Sequence, residues 1–232
     1  MSTLIRWPDC TLTPRDVSAS PSGEAAVNSG RTLAGKPRKI ALSAGGLWNV
    51  RYLNVRARTR NQILTLQAID AYLDSGATPL IVPRRPGRRN PDGPRDHVPH
   101  SDGTPHSDGA LYAGESSDTY LGGSVSQNAT TIEIDRPLIA APLLGGEDFS
   151  LLGPDGLPEM HRAFRKLDEV IVGDRRIYTF SIRVPMRDAA PAARALNFRN
   201  PAFVATVENP EELAAVLEGH RTATFSVDFR EA

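Results

Sequence analysis

The sequence predicts a mainly β fold with one main helix and one short one, and three observations carry that expectation. Apolar and polar residues alternate in several short runs; nineteen glycines and nineteen prolines in 232 residues favour turns over long helices; and a single longer segment, beginning at Thr59, has both the periodicity and the start signal of an amphipathic helix.

Taken in order, the first 37 residues are rich in Ser, Pro, Thr and Gly with little periodic hydrophobicity, so residues 1–37 are expected to form an extended arm anchored by Trp7-Pro8 and Leu12. From Lys39 the pattern becomes regular. Ile40-Ala41-Leu42 reads as a strand, Gly45-Gly46 as a turn, and Leu47 to Val55 as the hairpin partner, with Trp48, Val50 and Tyr52 on one face at the period of two. Thr59 then reads as a helix N-cap with Gln62 in the capping-box position, and Gly76 as the residue that turns left-handed after the last turn, giving a helix over 59–75.

Ile63, Leu66, Ile69 and Leu73 form one helical stripe about 120° wide, which is what packing on a sheet needs, and Asp70 interrupts its edge. Leu64, Ala68 and Ala71 form a weaker apolar strip on the opposite side. A helix apolar on two sides is either sandwiched inside its own domain or lies between its sheet and a neighbouring subunit. In a chain with so few helices the neighbour is the favoured reading.

After the apolar strand Pro79-Leu80-Ile81-Val82 the character changes. Residues 83–128 begin with Arg84, Arg85, Arg88 and Arg89 and continue as a run dense in Gly, Pro, Asp, His and Ser. Such a segment has too few apolar side chains for a core, so it must lie on a surface, line a cavity or be ordered by a partner. It contains His100-Ser101-Asp102-Gly103 and its copy His106-Ser107-Asp108-Gly109, a repeat too short for a solenoid. His97, His100 and His106 crowd together with Asp96, Asp102 and Asp108, a ligand set that suits a divalent metal. No rigid scaffold fixes their spacing, and successive Asx-type turns with histidine as a polar neighbour are the favoured reading of the Ser-Asp-Gly units, so no metal or other cofactor is assigned.

The block from Thr130 is again β-like. Thr130 to Ile134 alternates, and Glu169-Val170-Ile171-Val172 runs through Gly173-Asp174 into Ile177 to Val184 as a hairpin whose turn is expected to exceed two residues. Pro185 closes that strand. Ala202 to Val207 reads as a further strand, and Asn209-Pro210-Glu211-Glu212 supplies an N-cap, a first-position proline and acids for a short helix to Gly219. In the last strand Ala223, Phe225, Val227 and Phe229 face one way.

Charge and cysteine usage narrow the function. The 27 basic and 27 acidic residues cancel, so no global field draws the chain to nucleic acid or an anionic membrane. Only Lys36, Lys39 and Lys166 are lysines, and the arginine excess fits either partly buried polar interfaces or codon bias. Cys10 alone cannot form an internal disulfide, and in its Pro- and Thr-rich setting it lacks the surroundings of an activated nucleophile. No signal peptide or membrane span is visible, so synthesis and folding in a cytoplasm are expected. The paired glycines at 45–46, 122–123 and 145–146 lack a nucleotide-binding context, and no catalytic residue is assigned.

Trp7-Pro8, the Trp48 strand, the capped helix around Leu66 to Leu73, the Pro79 to Val82 strand, the Pro-His-Ser-Asp-Gly segment and the phenylalanine-rich end together resemble minor tail proteins of long-tailed bacteriophages. Within that group the chain looks like the distal tail or tail-tip adaptor type. The resemblance covers the whole chain in order, with no single diagnostic motif. It implies a split β-barrel or sandwich with one flanking α-helix, assembled as a ring, usually a hexamer, at the end of the tail tube. The ring domain maps onto residues 38–128 and 201–232, with strands in 38–55, 79–82, 202–208 and 222–229, and residues 129–200 become an inserted small β-domain.

The implied partners are further copies of the chain, the tail tube protein above and the tail-tip hub protein below. No membrane is involved, and DNA passes only as cargo through the lumen. The protein is then a non-enzymatic virion component, assembled in the host cytoplasm. Leu64, Ala68 and Ala71, with Arg84, Arg85, Arg88 and Arg89, are the expected subunit contacts. A carbohydrate- or host-receptor-binding module of the tail tip is the alternative from another class. A small metal-dependent hydrolase built on the histidine loop is the third.

Overall fold

The computed structural model describes residues 4–22, 25–31, 37–41, 46–84, 118–213 and 223–232. The chain is mainly β, with two five-stranded antiparallel sheets, one of them curled into a half-barrel, and few helices. Its elements are β1 (Asp16–Ser22), β2 (Ala25–Arg31), β3 (Pro37–Ala41), β4 (Leu47–Ala57), α1 (Arg60–Leu73), β5 (Leu80–Pro83), β6 (Tyr120–Leu121), β7 (Thr131–Pro137), β8 (Glu147–Leu152), β9 (Pro158–Val172), β10 (Arg175–Arg183), β11 (Ala202–Val207) and β12 (Ala223–Glu231). Two compact units result: residues 1–84 with 202–232, and residues 85–201.

The sheet of the first unit runs β1-β4-β12-β11-β5. Trp48, Val50 and Tyr52 face inward as the alternation requires, yet Val55 and Ala57, which belong to the opposite phase, are buried too. A bulge reconciles them. Opposite the step from Phe225 to Val227 on β12, strand β4 advances from Val55 to Tyr52, so it carries one extra residue near Leu53-Asn54. Asn54 takes φ +54°, a left-handed conformation that asparagine tolerates better than most side chains, and the phase of the strand shifts by one.

The core of this unit is aromatic. Trp7, Tyr52 and Phe229 meet edge-on, with ring centroids 5.1 to 5.9 Å apart, and all three are buried. The Trp7 indole donates to the Leu12 carbonyl at 3.3 Å, and the Tyr52 hydroxyl donates to the Pro83 carbonyl. Trp7 and Leu12 are therefore anchors, but the arm around them is not merely extended. β1 pairs along its whole length with β4, and β2 pairs with β3. The expected hairpin between the Ile40 strand and the Trp48 strand does not form, because β4 already has β1 on one side and β12 on the other. Backbone pairing needs no apolar periodicity, and Pro21 is tolerated because β1 is an edge strand.

Helix α1 packs on β4 and spans Arg60–Leu73, slightly shorter than expected. The capping box is present in both directions: Gln62 N donates to Thr59 Oγ1 at 3.3 Å, and Gln62 Oε1 accepts from Thr59 N at 3.1 Å. The left-handed exit starts before Gly76, at Asp74 and Ser75. Gly76 follows at φ +86°, where a Cβ would sit 2.9 Å from the Val207 carbonyl oxygen, so glycine is required there for close approach as well as for conformation. The expected C-terminal features are close to those observed: β11 and β12 pair, and Phe225, Val227 and Phe229 are buried. Residues 210–213 are helical, while the continuation to Gly219 lies outside the described residues. The Asn209 side chain does not cap that helix. It accepts from Asp228 N at 2.8 Å and donates to Ser226 O, tying it to β12.

The second unit has the order β6-β7-β10-β9-β8. Its core gathers Leu121, Ile132, Ile134, Phe149, Tyr178, Phe180, Leu196 and Phe198 among others. Residues 118–128, expected to continue the long loop, instead supply β6 and the buried Leu121 and Val125. The β9–β10 hairpin turns on Gly173-Asp174 alone, since Val172 and Arg175 are direct partners. Of the two, only Gly173 has positive φ, the type II′ arrangement that matches strand twist, so the expected longer turn is corrected. β9 starts at Pro158, well before the expected Glu169, and β8 was not expected at all. Two register shifts, which leave Leu167 and Phe164 without partners on β10, disrupt the periodicity that would have revealed β9.

Replacing Asn54 by Gly is expected to leave stability within about 0.5 kcal/mol, whereas Asn54→Val destabilises by about 1–2 kcal/mol, because a β-branched residue is poorly suited to left-handed backbone. Urea unfolding of both variants checks this; equal effects would remove the bulge from the account.

Candidate functional site

Three surfaces of the protein carry exposed or charged side chains on fixed elements. The first is the outer side of α1. Gln62 Nε2 donates to the Thr11 carbonyl at 3.0 Å, and the Tyr72 hydroxyl donates to the Pro79 carbonyl at 3.1 Å, so both ends of the helix are held. Leu66, Ile69 and Leu73 are consequently buried, while Leu64 remains 50% exposed, with Ala68 and Ala71 exposed on the same strip. The structure thus brings together the three helical residues of the expected contact set. Arg84 follows β5 and is half-buried; Arg85, Arg88 and Arg89 lie outside the described residues, as do His97, His100 and His106. Among the described residues no group of three or more His, Cys, Asp or Glu side chains is placed to hold a metal. Cys10 is exposed.

The second surface is polar. Arg51 and Asp228, on neighbouring strands β4 and β12, form an ion pair at 2.8 Å, and Arg230 approaches Glu208 at 3.5 Å. Desolvation raises the Asp228 carboxyl above its ordinary value; Arg51 opposes this, and Glu212 and Glu208 add to it. Together these groups make a charged face on the sheet.

The third surface belongs to the second unit. Two of its buried polar groups have close partners: Arg162 holds Asp148 through two bonds of 2.6 and 3.1 Å, and His161 Nδ1 donates to the Val184 carbonyl at 2.8 Å, while His161 Nε2 makes no hydrogen bond among the described residues. The exposed feature is strand β9 itself. β8 covers it only as far as Ala163, and beyond that the strand pairs, among the described residues, with β10 alone. Phe164, Leu167, Val170, Ile171 and Val172 are each 46 to 57% exposed there, half of the ten large exposed hydrophobics among the described residues. Sequence reasoning missed this edge. Its signal is the charged tetrad Arg165-Lys166 and Asp168-Glu169 set among apolar residues, a pattern that a strand with two bulges hides.

Among the described residues no helix is long and apolar enough to cross a membrane. Comparison of the chain with protein-family models and with curated proteins finds no match.

Because the folded-state pKa of Asp228 is raised, its favourable contribution is fully present below the ordinary carboxylate pKa and is lost as pH rises through the raised value. The stability of the wild type relative to Asp228→Asn is therefore expected to be greater at pH 3 than at pH 7. Denaturant titration at both pH values checks this, and a difference that grows with pH would contradict it.

Proposed function

We propose that this protein is a structural, non-enzymatic component of a bacteriophage or phage-like tail, forming a ring at the distal end of the tail tube and joining it to the tail-tip hub. The observation that carries the reading is the helix with two apolar sides, one buried on its own sheet and one, Leu64 with Ala68 and Ala71, exposed. A surface of small and aliphatic side chains on a fastened helix is suited to close approach by a neighbouring subunit. Two further features support it. The resemblance to distal tail proteins runs through the whole sequence, and the β1 edge of the first sheet pairs with no second strand among the described residues.

In a closed ring the same two patches of each subunit meet in a head-to-tail contact, and a load-bearing contact of that kind belongs to the obligate class, upward of about 2,000 Å². The tail tube protein above and the hub protein below are the remaining partners, and the working location is the virion tail tip. DNA crosses the lumen as cargo.

Electron microscopy of the purified protein, alone or with a tail tube protein, is expected to show rings, with sixfold symmetry the expected order. Leu64→Glu should abolish them while the far-ultraviolet circular dichroism and the melting temperature stay close to wild type, because the side chain is half exposed. Persistence of rings in that variant removes the helix from the contact. A wild-type chain that forms no ring under any condition removes the reading.

A further inference from the structure

We propose that the free edge of β9 is a self-association surface, through which two copies of this chain join antiparallel about a two-fold axis at Leu167. The inference does not depend on the tail reading; it rests on the strand itself.

The sequence along the free edge is Phe164-Arg165-Lys166-Leu167-Asp168-Glu169-Val170. Read backwards, it has an apolar residue wherever it has one forwards, and opposite charge wherever it is charged. An antiparallel neighbour centred on Leu167 therefore sets Arg165 against Glu169, Lys166 against Asp168, Leu167 against Leu167 and Phe164 against Val170. Each off-axis contact occurs twice and the Leu167 pair once, on the axis, as an isologous interface requires. Directly opposed unlike charges are favourable and like charges are not, so the pattern also selects the register. Sliding the axis to Asp168 opposes Asp168 to its own copy, sliding it to Lys166 opposes two lysines, and a parallel in-register pairing opposes every charge to its like.

The structure leaves room for the seven opposed pairs from Phe164 to Val170; the partner's Ile171 and Val172 and its Gly173-Asp174 turn must bend out of the sheet, because Glu147 and Asp148 of β8 already face Ala163 and Arg162. The ladder between β8 and β9 ends at Ala163, and beyond it the outer side of β9 is paired with no strand among the described residues. Exposed strand edges of this length are commonly blunted by charge, and here the charges are arranged to suit a second copy. Bulges at Leu167 and Phe164 interrupt the strand, yet the Leu167 bulge lies on the proposed axis and so bends both copies equally. Lys166 with Glu169 at 2.5 Å and Arg176 with Glu169 at 3.3 Å are ion pairs within one copy, and association exchanges the first of them for pairs between copies. The segment preceding β8 adds apolar area beside it: Leu138 N donates to the Asp174 carbonyl and Gly146 N to the Ala163 carbonyl, and between these ties Ile139 and Leu144 are 82% and 76% exposed.

The test uses the full chain. In a Cys10→Ser background, Leu167→Cys should form an interchain disulfide under mild oxidation, because the two-fold places residue 167 beside itself with Cβ atoms about 4.5–5.5 Å apart. Val172→Cys, which lies beyond the seven opposed pairs and far from its own copy, should cross-link far more slowly. Sedimentation should show that Arg165→Glu with Lys166→Glu, and separately Asp168→Lys with Glu169→Arg, each weaken self-association at least about tenfold. Mixing the two variants should restore it, since every opposed pair is again of unlike sign. A wild-type chain without β9-dependent association, a Leu167→Cys protein that cross-links no faster than Val172→Cys, or two charge variants that associate as the wild type does would each overturn the proposal. Failure of the ring leaves the cross-link unaffected, so the two readings fail separately.

Discussion

Three aromatic rings from distant parts of the chain, Trp7, Tyr52 and Phe229, meet edge-on in the first unit, and the order of its sheet depends on that meeting. Full burial of a large apolar side chain contributes about 1.5–3 kcal/mol, and each edge-on aromatic pair about 0.5–1.5 kcal/mol more. The geometry converts that gain into topology. Trp7 brings the N-terminal segment beside β5, where Trp7 N donates to the Ile81 carbonyl and Ile81 N to the Ile5 carbonyl, so the β5 edge is covered. Phe229 brings β12 beside β4, and the Glu231 carboxylate then accepts the Trp48 amide at 2.9 Å. The beginning, the middle and the end of the described chain are held by one cluster.

The second unit is stabilised differently. Its sheet encloses aromatic and aliphatic side chains, but several charged or polar groups enter the interior with partners: Arg136 beside Phe198 and Thr119, His161 on the Val184 carbonyl, and Asp148 with Arg162. Buried polar groups that are satisfied restrict which strands pair and in what register, because any slip leaves them unpaired. The outer half of β9 has no such restriction and no inner face; its residues are exposed on both sides of the ribbon. Stability and recognition are thus separated along one strand.

Much of the first unit was legible in the sequence, because its signals are local. Thr59 and Gln62 mark a helix start by hydrogen bonds within four residues, and the alternation of Trp48, Val50 and Tyr52 reports a half-buried strand directly. What could not be read depends on partners far along the chain. β1 and β2 lie in a Ser- and Pro-rich segment and are strands because a neighbour offers backbone groups. β9 was recognised only at its end, since bulges at Phe164 and Leu167 break the period of two. The same distinction holds for the candidate surfaces. The exposed strip of Leu64, Ala68 and Ala71 follows from helical geometry, whereas the free edge of β9 follows from where β8 stops, which is a matter of topology.

The chain leaves the first sheet after Pro83 and re-enters it at Ala202, and these two residues are direct partners in the ladder between β5 and β11. Opposed residues in an antiparallel pair have Cα atoms only about 4.5–5.5 Å apart, the span of a tight turn. Everything between them is, for the host sheet, a hairpin loop of unusual size, and closure cost rises only slowly with length. The excursion is therefore interchangeable in principle: descent can lengthen, shorten or swap it as a cassette while the sheet that carries it keeps its register, and the two halves of the molecule are free to diverge at different rates.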